Sequence, residues 1–181
     1  KSVVLVHNGI IENYQELKAK LVKAGYTFYS ETDTEIAAKL VDYYYKKTGE
    51  PLEAISRTML RVRGAYAFGI LFKDHPGRLF AARKDSPLIV GKGQTGSLIA
   101  SDVPAILEWT KQVYYIGNLE IAELTEDEIH FFNIDREEIQ KELTEITWDA
   151  KEAEKGGYEH FMLKEMYEQP KTVRDTLSPR I

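Results

Sequence analysis

Apolar and polar positions along this chain fall into blocks with distinct periods. Ser2-Val3-Val4-Leu5-Val6-His7 is a nearly continuous apolar run, the pattern of a strand buried on both faces. A domain seldom begins inside a central strand, so the run leads us to expect further chain upstream. Asn8-Gly9 then punctuates it as a turn. Asn13 with Glu16 three residues on has the form of a capping box, and Tyr14, Leu17, Leu21 and Ala24 share one face of the helix it would open. Gly25 supplies the stop. Tyr26–Tyr29 reads as a short strand. Thr32 and Glu35 form a second capping box, ahead of a helix with Ile36, Leu40, Val41 and Tyr44 inward. Asp42 and the Tyr43–Tyr45 run suit a helix that buries two aromatics and exposes one. Thr48-Gly49 ends this helix, and Pro51 opens a third with Leu52, Ile55, Met59 and Val62 inward, closed by Gly64.

From Ala65 the period changes to that of strands. Ala65–Phe72, Leu79–Arg83, Leu88–Val90 and Leu98–Ala100 are short apolar runs, separated by turn signals such as His75-Pro76-Gly77 and Asp85-Ser86-Pro87. Gly91–Gly96 lacks the ending of a phosphate loop and reads as a hairpin loop. Asp102 is placed to cap a short helix running through Trp109. Val113–Ile116 and Glu120–Leu124 read as a hairpin about Gly117-Asn118, with positive φ expected at one of those two residues. Ile129–Ile134 should pair with Glu120–Leu124. Tyr158–Leu177 is helical in character, with Pro170 as a kink or a new first turn. These elements predict an α+β fold with a largely antiparallel middle.

Composition narrows the function classes. The net charge of −5 disfavours a domain that holds nucleic acid or anionic membrane by charge. Eight acids against four bases between Asp135 and Lys155 carry most of that charge, and such a run suits a solvated face or linker. No apolar run approaches the ~20 residues of a membrane span, and no signal peptide opens the chain. The 181 residues contain no cysteine, which excludes disulfides, thiolate metal sites and a cysteine nucleophile within them. The four histidines, His7, His75, His130 and His160, show no metal-binding spacing and read as structural or surface residues.

Two segments hold candidate chemistry. Asn8-Gly9 at the end of a strand either makes a turn or presents a side-chain amide and a backbone N–H to one atom, as an oxyanion requires. Asp33 sits at a helix start, where a carboxylate serves capping or binds a substrate ammonium. Residue type and spacing by themselves favour the turn and the cap.

Five motifs in order add a resemblance: His7–Asn13 (HNGIIEN), Ser30–Glu35 (SETDTE), Arg63–Tyr66 (RGAY), Ile99–Asp102 (IASD) and Lys164–Pro170 (KEMYEQP). From Val3 to Ile181 the chain closely resembles the glutaminase half of the glutamine–fructose-6-phosphate aminotransferases, and the last motif resembles the segment leading into their sugar isomerase domain. The resemblance implies the four-layer αββα sandwich of N-terminal-nucleophile hydrolases. Residues 1–150 would be the later part of a class II glutamine amidotransferase domain, and residues 151–181 a linker and the start of the isomerase domain. In that family a terminal cysteine attacks the glutamine amide, its own α-amino group acts as the base, and the ammonia released converts fructose 6-phosphate to glucosamine 6-phosphate. By the same match, Asn8 and Gly9 would form the oxyanion hole and Asp33 would bind the α-amino group of glutamine. No cofactor or metal is implied, nor nucleic acid or membrane as a partner; the parent would be a cytoplasmic homodimer. Lys1 is no nucleophile of this type. The chain is therefore expected to lack the early part of its domain, to be inactive alone and to leave unpaired sheet edges that favour self-association. Two alternatives stand beside this reading: another class II amidotransferase, or a non-catalytic binding module on the same scaffold.

Overall fold

The computed structural model describes residues 2–94, 96–147 and 158–178. In chain order its elements are β1 (Val3–Gly9), α1 (Tyr14–Lys23), α2 (Asp33–Thr48), α3 (Pro51–Met59), β2 (Tyr66–Phe72), β3 (Leu79–Lys84), β4 (Ile89–Lys92) and β5 (Ser97–Ala100). A 3-10 turn (Pro104–Ile106), β6 (Gln112–Tyr115), β7 (Glu120–Leu124), β8 (Ile129–Phe132), β9 (Glu138–Ile139), β10 (Thr144–Glu145) and α4 (Phe161–Leu177) follow. Among the described residues the strands form two antiparallel sheets, ordered β1-β2-β3-β7-β8-β9 and β10-β6-β4-β5. The chain divides into two compact units, residues 1–146 and 147–181.

The alternation of side chains along the large sheet builds the first unit. One face presents Phe68, Ile70, Phe80, Ala82 and Ile121 to Leu21 of α1, Leu40 of α2 and Ile55 of α3. The opposite face presents small residues, Ala67, Ala81 and Ala122, to Leu88, Val90 and Ile116 of the second sheet segment. Gly69 lies on this face, and an added Cβ there would come within 2.7 Å of the Ile99 side chain, so the small residues set how closely the sheets approach. Each fully buried Leu, Ile or Phe side chain contributes about 1.5–3 kcal/mol. The layer order is helices, large sheet, small sheet: an α+β sandwich.

Several helix signals act as expected. The Gly25 N–H bonds the Val22 carbonyl and the Tyr26 N–H the Leu21 carbonyl, a Schellman stop with Gly25 at φ +88°. Thr32 caps α2 by accepting from the Glu35 N–H at 3.4 Å. The β7–β8 pairing and the β4–β5 hairpin are also present.

Other expectations are corrected. β1 is an edge strand with one covered face; Val4 and Val6 on the other face are 59% and 64% exposed. Tyr26–Tyr29 is not a strand, because the Glu35 carboxylate takes the Tyr29 and Ser30 N–H groups that a ladder would need. Asn13 does not cap α1, and Tyr14 and Ala24 are exposed rather than inward. α3 ends at Met59, short of Gly64, since residues 61–65 leave the helix to run beside residues 10–13. Gly117-Asn118 joins the two sheets and closes no hairpin: β6 lies in the small sheet and β7 in the large one, and the positive φ falls on Leu119 (58°). Arg83 fixes this crossing through the Ile116 carbonyl and Asn118 Oδ1. The Asp102 carboxylate accepts from the Ala105 N–H, but only one 3-10 turn forms. Tyr44 is buried while Tyr43 and Tyr45 are both half-buried, each phenol held by a partner, Lys47 and His75. The acidic run contributes β9 and β10 to the two sheets, and residues 148–155 of it lie outside the described residues. α4 begins at Phe161 and carries Pro170 in its interior.

Candidate functional site

The site grows from the pairing of β1 with β2. Asn8 lies opposite Ala67 and Gly9 opposite Tyr66, and the pairing continues beyond the strand through Ile10 N–H to the Ala65 carbonyl and Glu12 N–H to the Arg63 carbonyl, both 2.9 Å. In an antiparallel pair, hydrogen-bonded and non-hydrogen-bonded positions alternate. Even-numbered residues of β1 therefore bond to β2, while the Gly9 N–H points to the other edge, where no strand pairs among the described residues. Asn8 is exposed, and its side chain has no hydrogen-bond partner among those residues. Two donors thus leave one open strand end.

Glycine is required here on steric grounds. Gly9 has φ +130°, and an added Cβ would lie 2.1 Å from the Ala65 carbonyl oxygen; Gly64 has φ +110°, with the Ile10 carbonyl oxygen 2.2 Å away. The Asn13 side chain closes the pairing, donating to the Arg61 carbonyl and accepting from the Arg63 N–H at 2.9 Å each. The HNGIIEN and RGAY motifs are therefore two sides of one backbone crossing.

Asp33 is the first residue of α2, where the helix dipole favours an anion. Its Oδ2 accepts the Ile11 N–H at 2.9 Å, and its Oδ1 lies 3.7 Å from His7 Nδ1. His7 Nδ1 is also 3.2 Å from Thr34 Oγ1. The His7 side chain is 2% exposed and that of Asp33 27%, so the carboxylate keeps an open side. Burial pushes the imidazole below its ordinary pKa, against the pull of Asp33. A cavity of about 590 Å³ is lined by Ile10, Ile11, Glu12, Tyr14, Glu31, Thr32 and Asp33. A larger one, about 850 Å³, runs along Val3–Leu5 and α2 and touches none of Asn8, Gly9 or Asp33. Glu35 serves the scaffold. Burial alone would raise its pKa, but hydrogen bonds from Lys39, Ser30 and Tyr29 outweigh this and hold it down to about 2.

Asn8, Gly9 and Asp33 thus lie on two adjoining segments tied by the Ile11–Asp33 bond. The contact of His7 with Asp33 is one that spacing did not disclose; its only signal was the place of His7 in the HNG run. Of the other histidines, His75 bonds the Tyr45 hydroxyl, His130 sits between Glu128 and Glu138, and His160 is exposed. Among the described residues no group of three or more His, Asp or Glu side chains is arranged to hold a metal, and no helix is long and apolar enough to cross a membrane.

Residues 1–108 match the family model described as a glutamine amidotransferase domain, and the chain belongs to that family. Its relatives include glutamine–fructose-6-phosphate aminotransferases [isomerizing]. Identity to that of Clostridium acetobutylicum is 53% over 180 residues, 99% of this chain and 29% of the relative. Identity to that of Aquifex aeolicus is 49% over 173 residues, 96% and 29%. The chain thus spans less than a third of these relatives' length. Among solved structures, the glutamine phosphoribosylpyrophosphate amidotransferase of B. subtilis superposes with a TM-score of 0.62 at 24% identity, covering 73% of this chain and 29% of that one. The expected amidotransferase fold is thereby shown.

Proposed function

We propose that this chain is the later part of the glutaminase domain of an enzyme that moves the amide nitrogen of glutamine to fructose 6-phosphate, giving glucosamine 6-phosphate and glutamate. The 53% identity over 180 residues to an enzyme of that name carries the reading. The site geometry supports it. Asp33, anchored by Ile11, faces the α-ammonium of glutamine with its open side. The Asn8 amide and the Gly9 N–H receive the oxyanion formed when a thiolate attacks the side-chain amide carbon. Ammonia leaves, water cleaves the thioester, and glutamate is released with the thiol restored.

The thiol belongs to residues of the intact protein outside these 181, which contain no cysteine. On this reading the chain alone does not hydrolyse glutamine. Residues 1–150 act in the glutaminase domain, residues 151–181 lead into the isomerase domain, and the intact protein is a cytoplasmic homodimer. The test supplies the intact protein with glutamine labelled with ¹⁵N at the amide, together with fructose 6-phosphate. Label in glucosamine 6-phosphate is expected. Glutamate formation with label left only in free ammonia would point to another acceptor and overturn the assignment. Absence of any glutamine turnover would favour a binding module.

A further inference from the structure

The His7 ring packs against Phe68 of β2, with centroids 5.2 Å apart, and points Nδ1 at the start of α2. Nδ1 lies 3.2 Å from Thr34 Oγ1 and 3.7 Å from Asp33 Oδ1, whereas Nε2 is buried with no hydrogen-bond partner among the described residues. A neutral imidazole carries one N–H, and the two tautomers differ sharply here. With the proton on Nε2, a donor would be buried unpaired and the Nδ1 lone pair would face a carboxylate. With the proton on Nδ1, the donor faces Asp33 and Thr34, and the orphaned atom is only an acceptor. An unmet buried donor costs more than an unmet acceptor, so the Nδ1–H form is favoured.

We infer that His7 is a positioning residue for the glutamine ammonium site: as the Nδ1–H tautomer it holds the Asp33–Thr34 turn against β1 and fixes the orientation of the Asp33 carboxylate. The inference rests on the reading of Asp33 as the ammonium ligand. Two contacts then define that carboxylate, the Ile11 N–H on Oδ2 and the His7 edge towards Oδ1, and its remaining lone pairs face the open side. Both His7 and Ile11 flank Gly9, so the strand that offers the oxyanion donor also sets the ammonium ligand. Protonation of His7 places a full cation 3.7 Å from Oδ1, where it competes with the substrate ammonium. Asp33 of α2 is the charged group facing the ring, while β2 offers Phe68.

The test uses the intact protein and steady-state glutamine hydrolysis, with circular dichroism to verify folding. His7→Asn keeps an N–H donor near the Nδ1 position; His7→Gln moves it towards Nε2. Loss of the Nδ1 hydrogen bond to Thr34, and of the donor edge facing Asp33, is expected to raise KM for glutamine about tenfold in His7→Gln, with kcat changed less than about threefold. His7→Asn should stay within about threefold of wild type in both. The wild-type KM should also rise at acid pH, where His7 takes its proton below the ordinary imidazole range, and His7→Asn should remove that rise. Equal KM in wild type and a folded His7→Gln, or a pH profile unchanged in His7→Asn, would overturn the inference while leaving the proposed function intact. Absence of glutamine hydrolysis by the wild type would overturn both.

Discussion

The Ile11 N–H donates to Asp33 Oδ2 at 2.9 Å, joining the segment that follows β1 to the first turn of α2 across 22 residues. Through this bond the position of Asp33 is tied to Gly9, two residues before Ile11. A backbone donor cannot be removed by an ordinary side-chain change, so the link tolerates sequence variation around it.

Asn8→Ala in the intact protein is expected to lower kcat for glutamine hydrolysis by about 10²–10³, as loss of one oxyanion donor does elsewhere. Because the Asn8 side chain is exposed and bonds nothing among the described residues, the melting temperature should stay put. Unchanged kcat would return Asn8 to a plain strand-end role.

Asp33→Asn retains an oxygen to accept the Ile11 N–H and removes only the charge. KM for glutamine should rise by about tenfold or more, with kcat less affected. Calorimetry alongside the kinetics separates this from capping: a lowered melting temperature with normal KM would make Asp33 a structural residue.

Gly64→Ala places a methyl 2.2 Å from the Ile10 carbonyl oxygen at φ +110°. The strain and the displaced pairing should cost about 3 kcal/mol or more, read as a shift of the urea midpoint. A shift below about 1 kcal/mol would mean that the crossing of residues 9–12 with 63–66 relaxes easily.

Glu35, held down to about 2, binds fewer protons in the folded than in the unfolded chain between that value and its ordinary 4.5. Its contribution to stability is therefore present above 4.5 and lost as pH falls towards 2. Glu35→Gln should be less stable at neutral pH, and its deficit should shrink through that window. A deficit constant from pH 7 to 2 would show that charge plays no part.

What the sequence disclosed follows from the range of each interaction. Gly25 and Thr32 act within a few residues of themselves, so their roles were readable from composition and spacing. Asn13 looked like a cap by the same rules, yet its amide reaches Arg61 and Arg63, 48 and 50 residues on, where it closes a backbone crossing. Gly117-Asn118 had the form of a hairpin turn, but the flanking strands find their partners in different sheets. The site shows the same limit. Spacing offered Asn8-Gly9 and Asp33 as alternatives to a turn and a cap, and the motif resemblance selected their chemistry. Sequence spacing gives His7 only a structural reading, because its contact with Asp33 exists only once β1 and α2 are packed.

On the function proposed above, these residues form the substrate-holding part of a glutaminase whose nucleophile lies elsewhere in the intact protein. Glutamate release from glutamine, measured side by side for the intact protein and the 181-residue chain, tests it most directly. Steady release by the intact protein and none by the chain are the expected results. Glutamate release by the cysteine-free chain, or its absence from the intact protein, would contradict that function.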